Sequence, residues 1–128
     1  MIYVDASVLL AYLLTEKRRP PDAFWAEPLA SSRLLEYEAW TRFHRSTADA
    51  ELAEALGELL QQVAFLELGR PVLARALEPF PVGLRTLDVL HLASADFLRS
   101  RNQDVRIATY DRRMATAARA LEFELHPL

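Results

Sequence analysis

The alternation of short strand-like runs with helical stretches constrains the fold of this chain more than any other feature of the sequence. Runs such as "MIYV" and "VRIATY" are apolar and rich in β-branched residues, which is typical of buried strands. Helical patterns stand between them, and helical crossovers are the usual connections of parallel strands. The pattern therefore predicts an α/β fold of three layers, in which helices cover both faces of a parallel sheet of four to five strands.

The element boundaries follow from the apolar runs and from proline, glycine and polar breaks. The predicted strands cover residues 1–4, 29–31, 63–68, 105–110 and 123–126. The predicted helices cover residues 7–15, 23–26, 33–45, 48–62, 70–77, 86–100 and 111–121. We expect the helices at 33–45 and 48–62 to form a hairpin, Pro71 to take the first position of its helix, and Thr86 to be an N-cap. Residues 78–85 form a predicted loop.

Length and composition indicate one folded domain spanning residues 1–128. Apolar residues make up 52% of the chain, which favours a globule over disorder. No apolar run reaches the roughly 18 residues of a membrane span, and no basic and apolar leader precedes the first strand. We therefore expect a soluble cytoplasmic protein. The absence of cysteine excludes disulfides, thiolate metal sites and thiol nucleophiles.

Two aspartates follow predicted strands directly. Asp5 comes after "MIYV" and Asp111 comes after "VRIATY". In open parallel sheets, ligands bind beyond the carboxyl ends of the strands, where the strand order reverses. If these two strands are neighbours at that point, both carboxylates face one crevice.

Each candidate acid also has a purely structural interpretation. Asp111 begins a helix, where Asp is a favoured N-cap. Asp88 lies in the first turn of a helix, where the helix dipole favours an anion. Glu38 precedes Arg42 by four residues and could form a surface ion pair with it. Asp5 is the least easily explained in this way, because burying an unpaired carboxylate costs several kcal/mol.

Four segments together resemble the PIN-domain ribonucleases that serve as the toxins of VapBC toxin–antitoxin pairs. The segments are "VDASVLLAYL", "SSRLLEYEAW", "LRTLDVLHLASA" and "IATYDRRMATAARAL", and they occur in the order typical of the family. Each segment contains one acid that corresponds to the metal-binding quartet of the family: Asp5, Glu38, Asp88 and Asp111. Glu36 competes with Glu38 in the second segment. Glu38 is preferred because the family's glutamate usually falls six residues after the serine at position 32.

The resemblance implies a PIN-like fold and a metal-dependent endoribonuclease. Several carboxylates in one crevice repel one another, and a hard divalent cation such as Mg²⁺ or Mn²⁺ removes that conflict. In such enzymes metal-activated water hydrolyses an RNA phosphodiester. The resemblance also implies a cognate VapB-like antitoxin, a homodimer and a role in growth arrest. Whether one or two ions bind stays open.

Other residues are candidates for supporting roles. Ser7 and Thr109 could orient a carboxylate or hold a water, although both also suit their positions at a helix start and in a strand. His91 is expected to have a core or hydrogen-bonding role rather than to bind metal. The candidate contacts to the RNA backbone, each of which could equally be a solvated surface residue, are Arg42, Arg85, Arg112 and Arg113.

Two other functions are compatible with parts of the sequence. A phosphatase could use Asp5 as its nucleophile, but Ser7 stands where such enzymes have a second aspartate, and Lys17 is the only lysine. A PIN-like module could instead bind RNA or protein without cleaving it. RNA cleavage that requires metal would distinguish the ribonuclease from the binding module, and a phosphoaspartate at Asp5 would indicate the phosphatase.

Overall fold

A five-stranded parallel sheet forms the centre of the protein. The structure is a computed structural model that describes residues 1–14, 17–101 and 104–128. The strands are β1 (Ile2–Val4), β2 (Leu29–Ser32), β3 (Val63–Leu66), β4 (Arg106–Ala108) and β5 (Glu124–Leu125). Every neighbouring pair is parallel, and the order across the sheet is β3-β2-β1-β4-β5.

Six α-helices and one short 3₁₀ helix connect the strands in the described part of the chain. The α-helices are α1 (Ala6–Leu14), α2 (Leu34–Ser46), α3 (Ala50–Gln61), α4 (Arg70–Ala76), α5 (Thr86–Ser100) and α6 (Arg112–Ala120). The 3₁₀ helix is Asp22–Ala26. Within the described ranges, none of these helices is long and apolar enough to cross a membrane.

The two faces of the sheet carry separate hydrophobic cores, because side chains alternate along each strand. On β1, Ile2 and Val4 pack with helices α1, α2 and α3. Tyr3 points to the opposite face and packs with Leu92 of α5 and Met114 of α6. Helix α4 packs against α5 on this second side. The predicted three-layer α/β/α architecture is therefore confirmed.

The strand order reverses between β1 and β4. The chain runs from β1 outward through β2 to β3 and then returns to add β4 on the other side of β1. Tyr3 pairs with Ile107, and the backbone N–H of Asp5 donates to the carbonyl of Ala108 at 3.0 Å. The expected neighbourhood of these two strands is confirmed. Asp5 therefore lies at the point where α/β sheets bind ligands.

Most predicted elements are present, and several are shorter than predicted. Strand β4 ends at Ala108 rather than at Tyr110, because side-chain hydrogen bonds turn the chain after it: the Tyr110 N–H donates to Ser7 Oγ at 2.9 Å. Strand β3 ends at Leu66, and the N–H of Gly69 then donates to the carbonyl of Glu67 in a tight turn.

The predicted N-terminal ends of α5 and α1 differ from those in the structure. Thr86 is not an N-cap: it is the first residue of α5, because the preceding Arg85 is the last residue with extended backbone (φ −79°, ψ 160°). The consecutive helices α2 and α3 line one groove, and both also pack against α1. Helix α1 begins at Ala6, one residue earlier than expected, and its predicted last residue, Thr15, lies outside the described residues.

Candidate active site

Asp5 is buried at the end of β1 and is held by hydroxyl groups. The residue is only 6% exposed. Ser7 Oγ donates to Asp5 Oδ2 at 2.6 Å, and Thr109 Oγ1 donates to the same oxygen at 2.9 Å. The sequence placed Ser7 and Thr109 as candidates for orienting a carboxylate, and both contact Asp5. Neutral hydroxyl donors leave the negative charge of the carboxylate uncompensated.

Asp111 lies beyond β4 and begins α6. Its Oδ1 accepts a hydrogen bond from the N–H of Arg113 at 2.8 Å, so it is an N-cap in the structure. Its own N–H donates to Thr109 Oγ1 at 2.9 Å. Thr109 therefore contacts both Asp5 and Asp111, which joins the two strand ends at the switch point.

Glu38 is buried on α2 and accepts a hydrogen bond from an imidazole. His91 Nε2 contacts Glu38 Oε1, and His91 Nδ1 lies 2.7 Å from the hydroxyl of Tyr3. That hydroxyl also accepts the N–H of Ser32 at 3.0 Å. Burial raises the pKa of Tyr3 far above its ordinary value of 10.0, although hydrogen bonds from Ser31 and Ser32 oppose this shift. The phenol therefore keeps its proton at every physiological pH.

Asp88 occupies the first turn of α5, where it lines a cavity of about 570 Å³ between two basic segments. Arg85 lies on one side of this cavity, and Arg112 and Arg113 of α6 lie on the other. Arg85 Nε is 3.5 Å from Asp88 Oδ2. Since the Arg85 side chain is 64% exposed, this ion pair is weak and leaves the guanidinium free to move.

The four candidate arginines do not share one environment. Arg85, Arg112 and Arg113 surround the cavity that contains Asp88. Arg42 instead lies one turn after Glu38, with its guanidinium 3.6 Å from Glu38 Oε2. The i,i+4 pair that the sequence suggested therefore exists, but its carboxylate is buried rather than on the surface.

Thr109 and His91 connect the elements that carry the four candidate acids. Thr109 joins Asp5 to Asp111 as described above, and His91, one turn after Asp88 on α5, joins that helix to Glu38. Across the described ranges, however, no three His, Asp or Glu side chains lie close enough together to hold one metal ion. The donors are all hard carboxylate oxygens, which is the ligand type of Mg²⁺ and Mn²⁺ rather than of softer metals.

Glu36 is in a different environment from Glu38. It is partly exposed and lines a groove with Trp40 of α2 and Gly57 of α3. The geometry therefore distinguishes the two glutamates, since Glu38 contacts His91 of α5.

Tyr3 is a site residue that the sequence predicts only as part of a strand. Its position two residues before Asp5, on the same side of an alternating strand, was the signal that could have pointed to the site.

The fold and these residues define a class of protein. Residues 2–120 match the family model of the PIN domain, and the chain therefore belongs to the PIN-domain family. The chain is also similar to Ribonuclease VapC47 of Mycobacterium tuberculosis (strain CDC 1551 / Oshkosh), with 29% identity over 130 residues. That alignment covers 96% of this chain and 93% of the relative. The resemblance to VapC-type PIN proteins is confirmed.

Proposed function

We propose that this protein is a metal-dependent endoribonuclease and the growth-arresting toxin of a VapBC-type pair. Membership of the PIN family and the similarity to a VapC ribonuclease support this function. The observation that carries it is the carboxylate arrangement at the switch point. Asp5 lies at that point, and the buried acids Asp5, Glu38 and Asp88 are residues at most 9% exposed, whose nearest side-chain partners are hydroxyl groups, an imidazole and arginines at 3.5 Å or more.

Asp5, Glu38, Asp88 and Asp111 would hold the divalent ion, Mg²⁺ or Mn²⁺. Their oxygen donors and buried charge suit a hard cation, and side-chain rotation would have to bring them closer together than they lie here. When bound, such an ion supplies an activated water and neutralises the charge that develops on the phosphate. The chain has no cysteine and only one lysine, so it offers no thiol nucleophile and Lys17 is its one amine side chain.

The remaining residues have roles of binding and orientation. Ser7 and Thr109 hold Oδ2 of Asp5 and so direct its other oxygen. Arg85, Arg112 and Arg113 present exposed guanidinium groups around the cavity, where they would bind phosphates of the RNA backbone. Arg42 would contribute a further phosphate contact beside Glu38.

A non-cleaving RNA- or protein-binding PIN module is the second candidate. One observation favours it: the acids do not form a ready group of three ligands in the described part of the chain. The Asp5-nucleophile phosphatase has less support, because Ser7 stands at the position of the second aspartate and hydrogen-bonds to Asp5.

RNA cleavage with and without metal distinguishes these functions. Purified protein should cut structured RNA in Mg²⁺ or Mn²⁺ and should stop when EDTA is added. Asp88→Asn should reduce the rate at least about a hundredfold, because a metal ligand supplies several kcal/mol of transition-state stabilisation. Asp104→Asn is the matched control. Asp104 is exposed and precedes β4, so it lies at the N-terminal ends of the strands, opposite the candidate site. Undiminished cleavage in EDTA would exclude the metal mechanism.

The proposed biological role adds a partner and a location. As a toxin the protein would act in the cytoplasm, as a single PIN domain and a homodimer, and would be inhibited by a VapB-like antitoxin. Expression alone should arrest growth, co-expression of the antitoxin should restore it, and Asp5→Asn should be harmless. If the wild-type protein is equally harmless at matched expression, the toxin role is wrong even where cleavage is observed.

A further inference from the structure

A buried chain of hydrogen bonds reaches Glu38 from the opposite face of the sheet. The N–H of Ser32 donates to the hydroxyl of Tyr3, the hydroxyl contacts His91 Nδ1 at 2.7 Å, and His91 Nε2 contacts Glu38 Oε1. Tyr3 and His91 are 3% and 2% exposed, so water does not compete for these bonds. The two rings also meet edge to face, with 5.8 Å between their centroids.

One assignment of the hydrogen-bond donors is consistent with every contact in this chain. The Tyr3 oxygen already accepts the N–H of Ser32, and its own proton can be donated to His91 Nδ1. An imidazole that accepts at Nδ1 carries its proton on Nε2 in the neutral form. That proton points at Glu38 Oε1. All the groups are then satisfied, as buried polar groups require.

We propose that His91 and Tyr3 are positioning residues, which fix one oxygen of Glu38 so that the other is directed to the divalent ion. This inference rests on the proposed function. With Oε1 held by His91, Oε2 is the oxygen left to ligate, and its neighbour in the described structure is the exposed guanidinium of Arg42 at 3.6 Å. Carboxylate ligands in metal sites are commonly held in this way by a hydrogen-bond donor behind them.

The same hydrogen-bond chain connects β1, α2 and α5, which lie next to or carry three of the four acids. Tyr3 lies two residues before Asp5 on β1, and His91 lies three residues after Asp88 on α5. Glu38 is on α2, which packs on the other side of the sheet from α5. A purely structural histidine would stabilise the fold alone. A positioning histidine also sets the affinity of the site for metal, and the two roles can be separated by experiment.

The test measures Mn²⁺ affinity by titration calorimetry and the melting temperature of the same full-length variants. His91→Leu removes the donor to Glu38 and should weaken Mn²⁺ binding by about tenfold or more, as loss of such supporting contacts usually does. His91→Gln, whose amide can still donate, should restore most of the affinity. Tyr3→Phe should weaken binding less than His91→Leu, because the imidazole stays but its tautomer and rotation are no longer fixed.

Phe123→Leu is the matched control. Phe123 precedes β5 at the edge of the sheet, is 5% exposed and packs under the guanidinium of Arg99. The variant should lower the melting temperature and leave the Mn²⁺ affinity unchanged. Wild-type affinity in His91→Leu, or an equal loss of affinity in Phe123→Leu, would overturn the inference.

The protonation of the two His91 ring nitrogens in the wild-type protein gives a second test, which needs neither metal nor a folded variant. The ¹⁵N chemical shifts of the His91 imidazole in the wild-type protein should show a protonated Nε2 and an unprotonated Nδ1. A protonated Nδ1 with a bare Nε2 contradicts the proposal, because the ring could not then donate to Glu38. If the wild-type protein neither binds Mn²⁺ nor cuts RNA, the proposed function fails and this inference fails with it. If the wild type does both and His91→Leu retains both, only the inference fails.

Discussion

Asp111 has a structural role in the fold and, in the proposed function, a chemical one as well. Its Oδ1 caps α6 through the N–H groups of Arg113 and Met114. Its backbone is tied to Thr109, which also contacts Asp5. The capping contact uses one oxygen, so the second could serve as a ligand. Substitution by Asn separates the two roles, because Asn is an equally good N-cap but carries no charge.

We predict that Asp111→Asn keeps the stability of the protein without metal and loses its stabilisation by Mn²⁺. For the wild type, Mn²⁺ at a hundredfold excess over Kd should contribute about 2.7 kcal/mol, or a rise on the order of 10 °C in melting temperature. Asp111→Ala should lose the cap as well, at a cost of about 1 kcal/mol. Thermal denaturation with and without Mn²⁺ measures both effects. If Asp111→Asn keeps the full shift, Asp111 only caps α6 and the site contracts to Asp5, Glu38 and Asp88.

At the scale of elements, the contact between α4 and α5 supports the loop that lines the cavity. Asp96 of α5 accepts from Arg75 Nε of α4 at 2.7 Å and from Arg99 at 2.7 Å. Arg99 also donates to the carbonyl of Leu121 at 2.8 Å, just after α6. Residues 82–85, which follow α4, line the cavity beside Asp88. This ion-pair network therefore ties α4 to α5 and to the end of α6, and the latter two helices line the cavity.

The stability of this network should depend on pH. Burial acts to raise the pKa of Asp96, but hydrogen bonds from Arg75 and Arg99 outweigh it and lower the pKa below its ordinary value of 3.8. The ionised form is favoured in the folded state, so its contribution is present above pH 3.8 and is lost as the pH falls through the lowered pKa. Asp96→Asn should melt below the wild type at neutral pH, and the difference should shrink on acidification. A difference that is the same at neutral and acidic pH would contradict this linkage.

At the scale of the whole molecule, the net charge and the local charge have opposite signs. The formal net charge is −3, which disfavours RNA binding in general. The cavity beside Asp88 is nevertheless flanked by Arg85, Arg112 and Arg113. Arg42 and Arg85 also lie near Glu38 and Asp88, where they partly offset the charge of these acids in the metal-free protein. In the proposed function, the local placement of arginine, rather than the overall charge, would decide where a phosphate backbone binds.

We predict that RNA binding depends on salt through the N-terminal end of α6. Each phosphate contact contributes about 0.7 to the slope of log affinity against log salt for a single strand. Replacing both Arg112 and Arg113 by Gln should therefore lower this slope by about 1.4. The measurement is a binding titration in EDTA at several salt concentrations, so that no cleavage occurs. Arg119→Gln, on an exposed residue at the other end of α6, should leave the slope unchanged. An unchanged slope in the double variant would place the RNA elsewhere.

The sequence alone determined the order of strands and helices, the three-layer class and the family. Alternating apolar patterns are properties of neighbouring residues, so they are legible without a structure. The position of Asp5 beside the switch point was predictable from a general topological rule, which relates the carboxyl ends of strands to ligand sites. Local hydrogen bonds still shifted boundaries by a residue or more, as at Arg85 and at the end of β4.

Only the tertiary structure decided which side chains surround the candidate acids. The His91–Glu38 contact joins residues 53 positions apart, and the Thr109–Asp5 contact joins residues 104 positions apart. The first contact arises from how α2 and α5 pack, and the second from the pairing of β1 with β4, so the adjacent sequence of neither residue specifies its partner. Tyr3 illustrates the difference. Its alternation in "MIYV" placed it in a strand, but its contact with His91 depends on the packing of α5 against that face of the sheet.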